Sequence, residues 1–415
     1  MQIRKLLIVL ILTLVGPNLL ANVWQTKRPW DANVEKDFAI WVQTHWSEDI
    51  FISPLSPYRG IETDCAQATY AMRIIFLYEN ALPLKFRNHN LPNSFITNEM
   101  TNWDSIADSN QRLRAFLKFV FSNTSTRTLG LDSYPVSVTP EEITSGAIYV
   151  DPGNHSVQVI ELSPQGIPVI QFSTTPSSVR FLTRLVSFPE MIPGQAKTNR
   201  DDGFRRFKSP DQVSMSLQTI AGYSLEQFSL AGEAMGDWTE YTKIFTRHLA
   251  RASVSINSQA QQMIENICRA ARDRVRAVRD AMIVLARNSA KNVKCLNEAD
   301  YYNTSTPDRD KVLREYFIQL KNLTLESVWA QADTNDFSHQ YANVIVGSTN
   351  ASMEVNSQMS HHCDLKEMGI GGPERSYLLS ELYQKSWGNY LVSDPNASLE
   401  QRWGVASYVP VCKQY

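Results

Sequence analysis

Beyond its first fifteen residues this chain has no apolar run that approaches the roughly 20 residues a helix needs to cross a bilayer. It lacks any excess of charge: a formal net charge of -2 over 415 residues gives no electrostatic reason to expect nucleic acid or an anionic membrane as a partner. Internal repeats and low-complexity tracts are missing as well. With 43% hydrophobic and 20% charged residues, a wholly disordered or collagen-like chain is excluded. Cysteine is scarce: there are five, Cys65, Cys268, Cys295, Cys363 and Cys412. The number is odd, so in an oxidising compartment at least one thiol is left over. Cys65 stands alone in the N-terminal half and the other four follow residue 260. The simplest arithmetic is two bridges and one free thiol, Cys65.

What is present begins with an export pattern. Arg4 and Lys5 precede an apolar run from Leu6 to Val15, then Gly16 and Pro17, then the small residue Ala21. This is the layout of a cleaved signal over residues 1–21, which predicts a secreted or periplasmic protein with no integral membrane segment once the signal is removed. The length suggests two domains, expected at 22–205 and 206–415.

Phe38, Trp41, Val42 and His45 recur at helical spacing, and the turn-rich stretch SPLSPYRG follows. Helical spacing resumes after Asp64, with Ala68, Ala71 or Met72, Ile75 and Tyr78 on one side, and ends near Pro83. Residues 84 to 143 are polar and irregular apart from a helix over DSNQRLRAFLKFVF. The period then changes. AIYV, HSVQVIEL and IPVIQFS are short runs rich in Val and Ile, the last two joined by the hairpin signal SPQG, and predict three antiparallel strands. Together with the helix before them they predict an α+β N-terminal domain; the remainder reads as mainly α-helical.

In that remainder Ile264, Cys268, Ala271, Val275, Val278, Met282 and Leu285 step alternately by four and three. Such a seam predicts one long helix packed on a partner, expected to be DKVLREYFIQLKNL. The five arginines of CRAARDRVRAVRD are offset by two aspartates and read as a solvated helix face. A helix from Cys268 to about Ala290 carries the chain roughly 30 Å, and the residues to Cys295 return only about 17 Å. A bond between Cys268 and Cys295 is then out of reach, and bridges to Cys363 and Cys412 replace it. Adjacent histidines in HHCDL, residues 361–365, point in different directions, so no metal is expected there. GIGGP, residues 369–373, lacks the Lys-Ser/Thr of a phosphate loop and reads as a turn. No cofactor is expected.

The stretch PYRGIETDCAQATYAMRIIF, residues 57–76, carries the chemistry. Asp64 suits a helix N-cap, and Gln67 three residues on completes a capping box. Cys65 then falls in the first turn, where exposed amides and the helix dipole favour thiolate. Its bland alternative is a buried thiol of no function. A base would complete the activation. Of the seven histidines, His155 alone opens a predicted strand, and Gln171 on the neighbouring strand could fix its tautomer. Ser173 and Gln158 are alternatives for that third role.

This stretch resembles the signature of NlpC-type papain-fold peptidases, in which Pro-Tyr, glycine, Asp-Cys and an amphipathic helix follow one another. GAIYVDPGNHSVQVIELSPQGIPVIQFS is similar to the downstream part of that signature. The resemblance implies a papain-like domain with Cys65 as nucleophile, His155 as base, Gln171 as orienter and Tyr58 facing the site. It implies hydrolysis of amide bonds in peptide or peptidoglycan-like substrates. Ala66-Gln67 stands where the family has Ser-Gly, the interval from Cys65 to His155 is longer than usual, and the helical half has no part in the likeness. A papain-like acyltransferase or amidase acting on another substrate, and a non-catalytic binding protein on the same fold, are the alternative readings.

Overall fold

The computed structural model describes residues 22–415 apart from 92, 195–200, 252–254, 348, 350–352 and 369–373. The candidate signal and GIGGP therefore lie outside the described residues.

Helix α1 (Val34–His45) buries Phe38, Trp41 and Val42 of the expected stripe together with Val34, whereas His45, in its last turn, is exposed. Helix α2 (Cys65–Glu79) begins at the capping box: the Gln67 amide donates to Asp64 Oδ1 at 2.8 Å and the Asp64 amide donates to Gln67 Oε1 at 3.0 Å. Every residue from Ala68 to Leu77 is buried, so α2 is a central helix packed on all sides. Its polar members are bonded. Thr69 Oγ1 lies 3.1 Å from Ser156 Oγ and accepts from Gln158 Nε2 at 2.6 Å. Arg73 pairs with Glu35 and stacks over the Phe38 ring at 4.4 Å. A short hairpin, β1 (Lys85–Arg87) and β2 (Phe95–Thr97), and helices α3 (Ser109–Asn123) and α4 (Thr126–Asp132) follow.

Six strands, β3 (Ser133–Pro135), β4 (Ile148–Asp151), β5 (His155–Leu162), β6 (Pro168–Phe172), β7 (Thr183–Val186) and β8 (Gly203–Phe207), form one antiparallel sheet in the order β3-β8-β4-β5-β6-β7. The three expected strands are its centre. One face, with Ile148, Val150, Ile160 and Val169, packs into the aromatic core around α1, α2 and α3. The other, with Tyr149, Val157, Val159 and Ile170, is covered by α5 (Glu226–Glu233) and α6 (Trp238–Leu249) through Ala231, Tyr241, Ile244 and Phe245. The boundary expected at residue 205 thus falls inside β8, and α5 and α6 share a core with the sheet.

Helix α7 (Ile256–Ser289) has 34 residues, about 50 Å of helix. Its seam, Ile264, Cys268, Ala271, Val275 and Val278, shares a core with Leu313, Tyr316, Phe317 and Leu320 of α9 (Pro307–Leu325), and Met282 and Leu285 are half-buried. Between them lies α8 (Glu298–Thr304); α10 (Phe337–Ile345), α11 (Met353–His362), the hairpin β9 (Lys366–Met368) and β10 (Glu374–Ser376), α12 (Leu379–Trp387) and α13 (Leu399–Arg402) complete the chain. The bridges are Cys268–Cys363 and Cys295–Cys412, and Cys65 is free. Helix α7 runs unbroken past residue 285, which keeps Cys268 from Cys295 as its length requires. No described helix is long and apolar enough to cross a membrane.

Candidate functional site

Cys65 is the first residue of α2 and only 3% exposed. Burial pushes its thiol up, the adjacent Asp64 carboxylate adds to this, and hydrogen bonds from the Ser156, Ala66 and Cys65 backbone amides oppose it. The Ser156 bond sets the geometry, because it lays the His155–Ser156 peptide against the sulfur. The helix dipole and exposed amides act as the sequence suggests, yet desolvation outweighs them. The resting group is the thiol.

His155 opens β5 and sits edge-on to the Phe172 ring at 5.0 Å. Cys65 and His155 line one cavity of about 600 Å³. Its floor is the sheet face with Val157, Ile170, Phe172 and Leu185, and Trp238 of α6 closes one side. The opposite wall comes from α9, through Lys311, Val312, Glu315, Tyr316 and Gln319. The helical half therefore builds part of this site, which the motif comparison in the sequence leaves out. At the rim Lys311 and Glu190 form an exposed ion pair at 3.0 Å.

The other expected residues lie elsewhere. Gln171 is fully buried on the opposite face of β6 from Ile170 and Phe172. Its Oε1 accepts from Arg184 Nε at 2.8 Å and its amide donates to the Trp46 and Ser47 carbonyls at 3.5 and 3.4 Å. Gln158 is bonded to Thr69, and Ser173 donates to the Thr63 carbonyl at 2.8 Å. Tyr58 donates to Glu79 Oε1 at 2.6 Å, and its hydroxyl pKa is raised by burial and by that carboxylate. None of these four side chains lines the cavity.

The register supplies a residue the sequence reading missed. Asp151 on β4 lies directly opposite His155 on β5, so the two side chains leave the same face of the sheet side by side. Asp151 is buried, and its Oδ2 has no hydrogen-bond partner. Its signal was the turn DPGN, which folds residue 151 back onto residue 155.

Of HHCDL, His361 Nδ1 meets the Ser357 carbonyl at 2.7 Å and Cys363 is bridged. Among the described residues no group of three His, Cys, Asp or Glu is placed to hold a metal. Comparison with protein-family models, curated proteins and solved structures finds no match to this chain.

Proposed function

We propose that this chain is an exported thiol hydrolase that cleaves amide bonds, with cell-wall peptides as its substrate class, on an N-terminal half of the papain-like, NlpC-type kind. One observation carries the reading: the unbridged cysteine opens onto the same cavity as a strand-leading histidine. The two disulfides fit an oxidising compartment, which supports export.

In this reading Cys65 Sγ attacks the amide carbonyl carbon while His155 takes the thiol proton. Because burial holds the resting thiol protonated, removal of the proton accompanies the attack. Backbone N–H groups at the start of α2 hold the oxyanion. The C–N bond breaks, and His155 returns the proton to the leaving amine. Water then attacks the thioester with the imidazole as base, releasing the carboxylic acid and the thiol. Asp151 is the positioning residue, orienting the imidazole from the neighbouring strand.

The apolar walls, with Val157, Ile170, Phe172, Leu185 and Trp238, favour a second reading in which an acyl chain occupies the cavity and an amine or alcohol, in place of water, accepts it. Peptidoglycan fragments incubated with the wild type and with Cys65→Ala test the first reading. Cys65-dependent release of peptide amines is expected, and equal rates from both proteins overturn it. The mass trapped on Cys65 identifies the acyl group and separates hydrolase from transferase.

A further inference from the structure

A second cavity of about 410 Å³ adjoins the first and shares Phe172, Thr174, Thr175, Leu185 and Val312 with it. Its character differs. Arg180, Arg276 and Arg309 line it, as do Asp273, Asp280 and Asp300. Asp273 spans two of the arginines, 3.5 Å from Arg276 and 3.4 Å from Arg309, and Arg276 lies over the Phe181 ring at 3.5 Å. Asp300 accepts from its own helix cap, Asn297, at 2.8 Å.

Of the three arginines, Arg180 differs in having no carboxylate at ion-pair distance among the described residues. Its Nε donates to Ser178 Oγ at 2.8 Å, its Nη1 to Thr174 Oγ1 and its Nη2 to the Pro176 carbonyl. All three acceptors are neutral, and no carboxylate of the described residues forms an ion pair with it. A guanidinium carries five N–H groups, so two are left over. The segment that presents Arg180 is tied to the nucleophile helix. Thr63 and Ser178 exchange backbone hydrogen bonds at 3.0 and 3.3 Å, and Ser177 Oγ donates to Gln67 Oε1 at 2.7 Å. Arg180 thus lines the second cavity within electrostatic reach of Asp64 and Cys65.

We propose that the second cavity is a subsite for a carboxylate-bearing part of the substrate, with Arg180 as its anchor. A half-buried guanidinium held by neutral acceptors is costly to desolvate and gains most from a carboxylate that takes its two spare N–H groups. Burial and the neighbouring Arg309 hold the Arg180 pKa down at about 10, with Asp64 and Cys65 opposing, so the group is a cation at neutral pH. The orientation of that carboxylate towards Cys65 rests on the hydrolase reading above; the binding itself does not.

The test uses the full-length Cys65→Ala protein and two probes, N-acetylglutamate methylamide and N-acetylglutamine methylamide, which differ by one carboxylate. Calorimetry is expected to give the acid an affinity at least about tenfold higher, the range of a charged hydrogen bond. Arg180→Gln brings the ratio of the two affinities close to one, and Arg180→Lys, which keeps the charge, retains part of it. Equal affinities, no measurable binding of the acid, or a ratio that Arg180→Gln leaves intact each overturn the proposal. Turnover is not required, so a failure here is distinct from a failure of Cys65-dependent hydrolysis.

Discussion

Buried polar atoms without a hydrogen-bond partner occur in both halves: scattered in the sheet half, on Trp46 Nε1, Asp151 Oδ2, Gln158 Oε1 and the Tyr241 hydroxyl, and gathered around Trp403 in the helical half. Around α2, Thr69, Ser156 and Gln158 bond one another, and the Tyr70 hydroxyl donates to Asp132 at 2.9 Å. In the helical half Arg274 and Arg402 are fully buried beside Glu367 and Trp403. There Arg274 Nη1, Arg402 Nε and Nη1 and Glu367 Oε1 have no hydrogen-bond partner. Unpaired buried groups cost free energy. The same half holds both disulfides, which tie α7 and the loop after it to Cys363 and Cys412. In that half covalent links add their restriction of the unfolded chain, whereas the sheet half holds together without one and leaves its cysteine free.

Four experiments sharpen this contrast. Cys65→Ala should lower turnover by at least about 10⁴-fold, the scale on which removal of a nucleophile acts; retention of even a tenth of the rate would move the chemistry off α2. Replacing Cys268 and Cys363 together by serine opens a bridge that spans a sequence separation of 95 residues and should cost about 4 to 5 kcal/mol in a guanidinium melt. A loss under about 1 kcal/mol would mean that the helical half closes without its staple.

Glu367 is only 1% exposed, and burial pushes its carboxyl from 4.5 up to about 7, against hydrogen bonding from Trp403 and the charges of Arg274 and Arg402. A raised carboxyl keeps its proton in the folded chain where the unfolded chain has lost it. Stability from this group is therefore greatest below pH 4.5 and falls as pH rises towards about 7. Glu367→Gln should stabilise the protein at pH 8 by about 3 kcal/mol and have little effect at pH 4; identical gains at both would place the cost elsewhere. Asp64→Asn should have the smallest effect. It keeps the cap within a few tenths of a kcal/mol but removes the carboxylate that raises the Cys65 thiol, so alkylation at a given pH should quicken. An unchanged rate would leave burial as the whole cause.

Much of this fold is legible without coordinates. The start of α2 is written in Asp64 and Gln67, the central strands in their Val and Ile runs and the SPQG turn, and the packing of α7 on α9 in its four-three stepping. Gln171 shows where legibility ends. Its strand is buried on both faces, with only Phe172 half-exposed, so apolar residues flank it without a polar alternation to show which parity faces the histidine. With one parity its carbonyl would reach the ring; with the other it meets Arg184. Asp151 was hidden for the same reason, since only the pairing of β4 with β5 sets it opposite His155.

The sequence alone determined the start of α2, the three central strands, the helical seam and the solitary cysteine, because a cap, a turn or a periodic stripe acts over a few neighbouring residues. Tertiary structure decided that α9 walls the cavity before Cys65, that β8, α5 and α6 share a core with the rest of the sheet, and that Arg180 lines a second cavity adjoining the first. Those outcomes depend on contacts between segments far apart in the chain, such as Tyr316 and Asn266 donating to the Val186 carbonyl at 3.2 and 3.3 Å across sequence separations of 130 and 80 residues. The burial free energy that selects such contacts is non-directional, and it leaves no local mark on the residues that will meet.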